Sequence, residues 1–519
     1  MRLTVSIAII LIFVPLSWAQ QDTITTVNEE KALTGQISRG FIHPCQFTAF
    51  LNEKNRFQFP ALNGSVLPSV QYCYPQIGIS LYSKNTEHYN REVNVFPTVN
   101  LLGSQAFNTN VQDFRGAIGA GITVQLNNKW RGRAIFNFGA VSNSPNGGPL
   151  NSILQNSFYR SNDTATATIF QPRARISYRP TDFFEVQSGI DHQFIGEGNR
   201  SMLLSDFGAP RPFVKLRTRF WKIEFTNIYQ LLNENVGNQR QNKFSATHTL
   251  DFHINQNFKI GLFESVVFAP EDTLMNRGFE VEYLNPFLFY RPTEYSIGSQ
   301  DRLLIGINTS YQFRKLMIYG QLVIDDFVLD ELVNRTRWWA NKYGGQFGLK
   351  SKTRLGEHEI RWLTELNFAR PFTYSHLNES TVYGNQGIPL AHPLGANFVE
   401  SFSEARYFVT PRLSIRATFM FAQQGGRDAN DSESYGADIY RSYTERPYEY
   451  GYRIGGNGKL NRLRGTLELN YELSYKMRLN AFIRPGVEVR SLNNQPTITQ
   501  PFIFGGIRTQ LWNERSLSF

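Results

Sequence analysis

Apolar and polar side chains alternate with a period of two along many segments of this chain. In residues 464–475 one face would carry leucine and tyrosine, and the other would carry threonine, glutamate, asparagine and serine. The same alternation recurs in residues 214–220, 360–368 and 412–421. Because successive side chains of a strand point to opposite faces, the pattern predicts β-strands with one apolar and one polar face.

Short turns and long connections alternate between the predicted strands. The tight turns fall at residues 127–129, 179–182, 221, 255–256, 313–315, 354–357, 410–411 and 476–477. The longer connections are residues 142–167, 196–210, 233–242, 269–301, 327–341, 370–398 and 423–462. This regular order is typical of outer-membrane barrels, whose periplasmic turns are short and whose external loops are long. A soluble sandwich has no reason to alternate in this way.

The number of strands in a bacterial outer-membrane barrel is even, and this requirement refines the prediction. An opening strand at about residues 93–102, with residues 449–460 assigned to an external loop, leaves both chain ends in the periplasm. The pattern therefore predicts an all-β transmembrane antiparallel β-barrel of about 18 strands. Pro97, Pro172 and Pro485 fall inside predicted strands, where they indicate bulges or shifted strand ends.

The first nineteen residues are expected to be a signal peptide. Arg2 precedes an apolar run over residues 3–16, and Ser17 and Ala19 provide the small residues of a cleavage site. The run is too short for a retained anchor of ~20 residues. No later segment is apolar enough for a membrane-spanning helix, which excludes a helical membrane protein. The expected location is the cell outer membrane, in contact with its lipid and lipopolysaccharide.

Composition agrees with a barrel that has one lipid-facing and one wet side. Aromatic residues reach 14% and charged residues only 18%, with a mean hydropathy of −0.34. The net charge of +10 does not indicate nucleic-acid binding, because an exported barrel does not meet nucleic acid. The favoured interpretation is that the positive charge binds anionic glycan or lipopolysaccharide. The alternative is a surplus of lysine and arginine in the loops without a binding role.

Residues 20–92 alternate poorly and contain four prolines, so they are assigned to an N-terminal segment that precedes a barrel over residues 93–519. A barrel of about 16–18 strands encloses an aqueous channel, which this segment could plug. A loose periplasmic extension is the alternative. Cys45 and Cys73 both lie in it and could form a disulfide in an oxidising compartment, or remain two free thiols.

The predicted inward faces carry many arginines interleaved with glutamates. A basic lumen of this kind would hold or select anions, whereas an Arg–Glu network would be purely structural. The arginines taken as candidate ligand-binding residues are Arg217, Arg219, Arg361, Arg412 and Arg416.

The connection over residues 269–301 is the most distinctive loop. It is long, rich in aromatic residues and holds paired charges. It could bind sugar, with an aromatic stacking face, or fold into the barrel as a constriction. Its candidate binding residues are Asn285, Tyr290, Arg291, Glu294 and Asp301.

These motifs resemble a known family. Asn285-Pro286, then Tyr290-Arg291-Pro292 with Glu294, and Gly298-Ser299 with Asp301, are similar to the capsule-assembly Wzi-like outer-membrane β-barrels. Together with residues 435–443 and 446–451, they look like the family's Bacteroidota branch, which includes a gliding-motility outer-membrane protein. The resemblance implies a plugged, non-enzymatic barrel that organises surface polysaccharide or supports motility. Residues 20–92 do not match the helical plug of the capsule proteins.

The function expected from these observations is binding or organisation of cell-surface polysaccharide, with anionic polysaccharide as a candidate partner and without a cofactor. A porin-like channel for anionic solutes is the alternative, and so is a structural partner of envelope secretion or motility proteins. A TonB-dependent receptor would need about 22 strands. An enzyme is not expected, because Asp251 and His253 share a strand face without a placed nucleophile, and no metal-binding spacing occurs.

Overall fold

A computed structural model describes most of the chain beyond residue 78. The described ranges are residues 79–85, 90–107, 112–127, 129–142, 158–161, 166–236, 239–269, 281–284, 301–426, 433–474, 477–492 and 495–509. The predicted signal peptide, the Cys45 and Cys73 pair and residues 20–78 of the N-terminal segment predicted over residues 20–92 lie outside these ranges. So do Asn285, Tyr290, Arg291 and Glu294.

Twenty of the described strands form one antiparallel sheet, and eighteen of these close into a barrel. Closure occurs where β2 pairs with β22, from Asn100 opposite Arg508 to Ala106 opposite Phe502. The strands are β1 Ile79–Asn85, β2 Asn90–Ala106, β3 Gln112–Gln125, β4 Trp130–Ser142, β5 Phe158–Ser161, β6 Thr166–Thr181, β7 Phe184–Asp191, β8 Arg211–Phe220, β9 Ile223–Val236, β10 Gln239–His253, β11 Phe258–Phe268, β12 Arg302–Phe313, β13 Leu316–Asp326, β14 Lys342–Leu355, β15 His358–Ala369, β16 Gly384–Asn385, β17 Ile388–Pro389, β18 Phe398–Phe408, β19 Leu413–Gln424, β20 Leu460–Ser474, β21 Leu479–Leu492 and β22 Ile498–Thr509.

Helix is scarce in the described part of the chain. One short α-helix, α1 Leu329–Val333, follows β13, and single 3₁₀ turns occur at Val281–Leu284, Glu379–Thr381 and Tyr443–Glu445. None of the helices in the described ranges has the length and apolar content that a membrane-spanning helix requires.

The predicted alternation of faces is confirmed along β20. Leu467, Leu469 and Leu473 are 43–47% exposed on the outer surface of the barrel, whereas Glu468 and Glu472 between them are buried on the inner surface. The same separation holds on β15, where Leu366 is exposed and Arg361 is buried. One side of the wall is therefore apolar and solvent-accessible, and the other is polar and enclosed.

Strand prolines lie where one neighbouring strand is missing. Pro97 falls between the part of β2 that pairs with β1 and the part that pairs with β22. Pro172 falls between the parts of β6 that pair with β5 and with β7. Pro485 falls in a gap of the β20–β21 register. Proline cannot donate to a ladder, so these gaps tolerate it without loss of a hydrogen bond.

The predicted tight turns all connect neighbouring strands, which places them at one end of the barrel. The predicted long connection over residues 233–242 is wrong, because β9 continues to Val236 and β10 begins at Gln239. Asn233 pairs with Asn242 in this extension. The error arose because both faces of the hairpin are polar here, so the sequence loses the alternation that identifies a strand. Residues 449–459 of the segment 449–460 are in a loop, as predicted, and Leu460 is the first residue of β20.

Candidate functional site

The connection between β7 and β8 folds into the barrel instead of extending away from it. We call residues 192–210 the inner loop; its residues 196–210 are all buried. The backbone amides of Asn199 and Arg200 donate to the two carboxylate oxygens of Glu365 on β15, at 2.5 and 3.2 Å. The amide of Met202 donates to Gln321 on β13 at 2.8 Å. The inner loop is thus attached to strands on another part of the barrel wall.

Charged contacts strengthen this attachment. Glu197 of the inner loop accepts from Lys259 of β11 and from Lys350 of β14, both at 3.2 Å. Burial alone would raise the pKa of Glu197, but the two lysines hold this pKa below its ordinary value. Gly198 has no space for a side chain, because a Cβ atom there would lie 2.1 Å from a carboxylate oxygen of Glu365.

A second connection packs on the inner loop from the long-loop end. We call residues 370–397 the hairpin loop, because they contain the β16–β17 pair. The hydroxyl groups of Tyr374 and Tyr383 donate to the carbonyl oxygens of Met202 and Leu203 at 2.7 and 2.8 Å. Burial raises the pKa of both tyrosines. These bonds satisfy carbonyl groups that would otherwise be buried without partners.

Apolar side chains fill the space between the two loops and the wall. They form one cluster of buried residues, which includes Met202, Leu203, Leu204, Ile228, Leu232, Phe263, Val267, Leu304, Val323, Tyr374, Val382, Tyr383, Leu390, Leu394, Phe398 and Ile439. A packed apolar cluster is expected in the core of a soluble protein and not in an aqueous channel. The lumen is therefore filled at this level by the protein itself.

A third connection covers the first two. We call residues 433–459 the covering loop. Its Gly436 carbonyl accepts from the amide of Phe372 at 2.9 Å, and its Tyr435 carbonyl accepts from Asn397 at 3.0 Å. Gly436 has a φ of 71°, and a Cβ atom there would lie 2.4 Å from the Phe372 nitrogen. Both features require glycine at this contact.

Rings of the covering loop and of the connection over residues 327–341 form an aromatic cluster with Phe372 of the hairpin loop. We call this cluster, together with the neighbouring Tyr450, the aromatic platform; the rings in contact are Trp338, Trp339, Phe372, Tyr443, Tyr448 and Tyr452. The ring centres of Trp339 and Tyr443 lie 4.9 Å apart, and those of Tyr448 and Tyr452 lie 4.5 Å apart. The Tyr450 ring is 53% exposed. The platform lies at the long-loop end of the barrel.

Hydrogen bonds join the two halves of the platform. The amide of Trp339 donates to the Glu449 carbonyl at 3.0 Å, and its indole Nε1 donates to the Glu449 carboxylate at 2.7 Å. Arg446 also donates to that carboxylate and lies over the Trp339 ring at 4.2 Å. The hydrogen bond from Arg446 lowers the pKa of Glu449. These contacts fix the orientation of the Trp339 ring.

The arginines predicted on the inner wall belong mainly to an Arg–Glu network. Arg217 donates two hydrogen bonds to Glu224 at 2.8 and 3.0 Å. Arg416 contacts Glu468 at 2.7 Å, and Arg484 and Arg508 contact the same carboxylate. Each of these arginines is engaged by a carboxylate, which favours a structural role.

The remaining predicted arginines are not all in one place. Arg219 and Arg361 are buried on inner faces, and Arg361 donates to Glu359 while lying over the Phe408 ring at 4.7 Å. The predicted inward position of Arg412 is wrong. Arg412 is exposed in the turn between β18 and β19, where its amide donates to Thr410 at 3.3 Å. The turn is longer than the sequence indicated, so Arg412 precedes the strand.

Asp301 is the described member of the binding set predicted in residues 269–301. Its carboxylate accepts a hydrogen bond from the Tyr283 hydroxyl at 2.6 Å. Within the described ranges no group of three His, Cys, Asp or Glu side chains could hold a metal ion. The aromatic platform was not predicted from the sequence, although the adjacent Trp338 and Trp339 and the tyrosines of residues 435–452 are a signal for it.

Comparisons with known proteins identify the fold. No family model matches the chain, and no curated protein matches it in sequence. Among solved structures the chain is similar to Wzi of Escherichia coli, an outer-membrane protein involved in group 1 capsule assembly and a carbohydrate-binding β-barrel. The two sequences are 12% identical, and the structures match with a TM-score of 0.50 over 80% of this chain and 83% of Wzi. OpdK of Pseudomonas aeruginosa, solved with vanillate, has 13% identity and a TM-score of 0.45 over 80% and 97%. OprD of Pseudomonas aeruginosa has 10% identity and a TM-score of 0.42 over 80% and 94%.

Proposed function

We propose that this protein is a non-enzymatic outer-membrane barrel that is closed by its own loops and binds cell-surface polysaccharide at its long-loop end. The observation that carries the proposal is the filled lumen. The inner loop is hydrogen bonded to Glu365 and Gln321 on another part of the wall, and the hairpin loop packs on it through Tyr374 and Tyr383. A protein built in this way has its interaction surface outside the channel.

The filled lumen argues against the alternative of a diffusion porin. A barrel of about 16–18 strands has room for an aqueous channel only when loops leave it open. Here the loops bury apolar side chains such as Leu204 and Leu390 in one cluster with side chains of the barrel wall. Opening a channel would expose this cluster to water at about 25 cal/mol for each Å² of apolar surface. Steady conduction of anionic solutes is therefore disfavoured.

The aromatic platform supplies the chemistry that sugars need. Aromatic rings pack against the C–H faces of sugar rings, and planar charged groups hydrogen bond to hydroxyl groups. Tyr450 presents an exposed ring next to the paired Arg446 and Glu449. The likeness to Wzi, a carbohydrate-binding barrel, supports the proposal at the level of fold.

The proposal places the protein in the outer membrane, with lipopolysaccharide around its apolar outer face. The resemblance to the Bacteroidota branch of the capsule-assembly family extends it to cell-surface gliding motility. In that case the same loops would hold surface polysaccharide, or an envelope protein, during movement.

Two measurements test the proposal. In planar lipid bilayers, the purified protein should show no steady conductance under conditions in which a purified open porin conducts. Large, stable, anion-favouring openings would refute the closed barrel. Deletion of the gene should release polysaccharide from the cell surface, scored together with colony spreading. Unchanged retention of polysaccharide in the deletion strain would refute the binding role.

A further inference from the structure

Three arginine side chains border the aromatic platform without a partner in the part of the chain that the structure describes. Arg335, Arg337 and Arg453 are all exposed, and their guanidinium groups make no ionic contact or hydrogen bond within these ranges. Two carboxylates of the covering loop are already engaged by other arginines: Glu445 contacts Arg441 at 2.6 Å, and Glu449 contacts Arg446. The surface therefore carries free positive charge.

The backbone holds two of these arginines beside the exposed tyrosine. The amides of Gly451 and Tyr452 donate to the carbonyls of Thr336 and Arg337, at 3.2 and 3.1 Å. Arg337 is thus paired with the segment that contains Tyr450 and continues to Arg453. The two segments form one edge of the platform, with cations on both sides of it.

The segment that carries Arg335 and Arg337 has an unusual conformation. Their φ angles are 54° and 60°, in the left-handed region that arginine rarely adopts. Two such residues with one residue between them indicate a backbone held in place by the packing around it. Strained backbone of this kind is concentrated at ligand-binding sites. Next to this segment, α1 contributes two carboxylates, the exposed Asp330 and Glu331, which accepts from the Thr336 hydroxyl, so the three arginines remain in excess by one charge.

We infer that this edge of the platform binds an acidic polysaccharide, with sugar carboxylates paired to Arg335, Arg337 and Arg453 and a sugar ring packed on Tyr450. The inference rests on the proposed function and names its ligand class. A guanidinium group matches a carboxylate with two parallel hydrogen bonds, which makes arginine the suitable residue for uronate-containing chains.

The experiment uses the full-length protein in detergent on an array of uronate-containing, phosphorylated and neutral glycans, with purified lipopolysaccharide as a separate spot. The uronate-containing glycans should bind, and their binding should weaken as the salt concentration rises. The double substitution Arg335→Gln and Arg337→Gln should weaken binding by about tenfold for each arginine. The substitutions Arg335→Lys and Arg337→Lys should retain part of the binding, because the positive charge remains but the paired hydrogen bonds of the guanidinium group are lost.

Arg354→Gln is the matched control, since Arg354 is also exposed but lies at the short-turn end of the barrel. It should leave binding unchanged. Binding of neutral glycans alone, insensitive to the arginine substitutions, would overturn the acidic specificity while leaving the proposed function in place. Binding of lipopolysaccharide alone would also overturn it. A protein that binds no glycan on the array would count against the proposed function itself.

Discussion

The imidazole of His392 donates a hydrogen bond from Nε2 to the carboxylate of Glu400 at 2.8 Å, in a fully buried position. His392 belongs to the hairpin loop and Glu400 to β18. The same carboxylate accepts from Arg200 of the inner loop at 3.3 Å and from Asn367 of β15 at 3.0 Å. Glu400 therefore joins both inserted loops to the wall, which makes the closure of the lumen one connected structure.

Glu365 is predicted to be the residue on which attachment of the inner loop depends most. Glu365→Ala removes the acceptor of the Asn199 and Arg200 amides and of the Tyr319 hydroxyl. Each buried donor left without a partner costs about 1–3 kcal/mol. We expect transient channel openings in planar bilayers. Glu404→Ala is the control, because Glu404 is a buried carboxylate on β18 that makes no hydrogen bond to the inserted loops in the described ranges. Equal behaviour of the two variants would contradict the prediction.

The closure of the lumen should weaken in acid because of buried histidines in the inserted loops. Burial, aided by Arg173, lowers the pKa of His192 to about 3, and burial also lowers the pKa of His392 despite Glu400. In a released loop each histidine would have a pKa of about 6.5. The released state therefore binds more protons below that pH, so the stability of the packed loops is constant above about pH 6.5 and falls as the pH decreases.

Protease sensitivity of the loops measures this effect. At about pH 4.5, two units below the pKa of the released histidine, the loss for His192 alone should be about 3 kcal/mol, since one pKa unit corresponds to about 1.4 kcal/mol. His192→Gln keeps a donor for the Gly208 carbonyl, which His192 contacts at 3.0 Å, and removes the titration. This variant should lose less stability between pH 7.5 and 4.5 than the natural protein. An identical loss in both would exclude His192 as a source of the pH dependence.

The outer face of β20 should tolerate charge at its end but not at its middle. Leu467 and Leu473 are both outward and similarly exposed, at 47% and 45%, but Leu467 lies near the middle of the strand and Leu473 next to the short turn. In a bilayer, arginine costs about 2–4 kcal/mol at the midplane and about 0–1 kcal/mol near the interface. Leu467→Arg should reduce assembly and thermal stability more than Leu473→Arg. Equal effects would indicate that lipid does not cover this face.

Tyr450 is predicted to act in binding and not in folding. Its ring is 53% exposed and makes no ring–ring contact within the described ranges, so Tyr450→Ala should leave the thermal stability unchanged. Loss of one aromatic stacking face should weaken glycan binding by about 0.5–1.5 kcal/mol, or up to about tenfold. Phe220→Ala, at an exposed position in the short-turn half of the barrel, is the control and should not affect binding. Loss of stability in Tyr450→Ala without loss of binding would contradict the assignment.

The barrel could be predicted from the sequence because its physical determinants are local. Alternation in β20 and the turn at residues 127–129 each depend on residues that are neighbours in the chain. The number and order of strands follow when such strands and turns are assigned one after another along the chain. The inward positions of Arg217 and Arg416 follow from the same alternation. Prediction failed at residues 233–242 and at Arg412, where a strand or a turn extends beyond the alternating pattern.

Only the tertiary structure decided how the lumen is closed and where the aromatic platform forms. Contacts such as Asn199 with Glu365 and Trp339 with Glu449 join residues that are 166 and 110 positions apart. The sequence of a loop has no periodic pattern from which such partners could be predicted, because the conformation of a loop depends on the surfaces on which it packs. The two faces of a strand can be predicted from the alternation of its own side chains, whereas the position of an inserted loop depends on contacts with distant parts of the barrel wall.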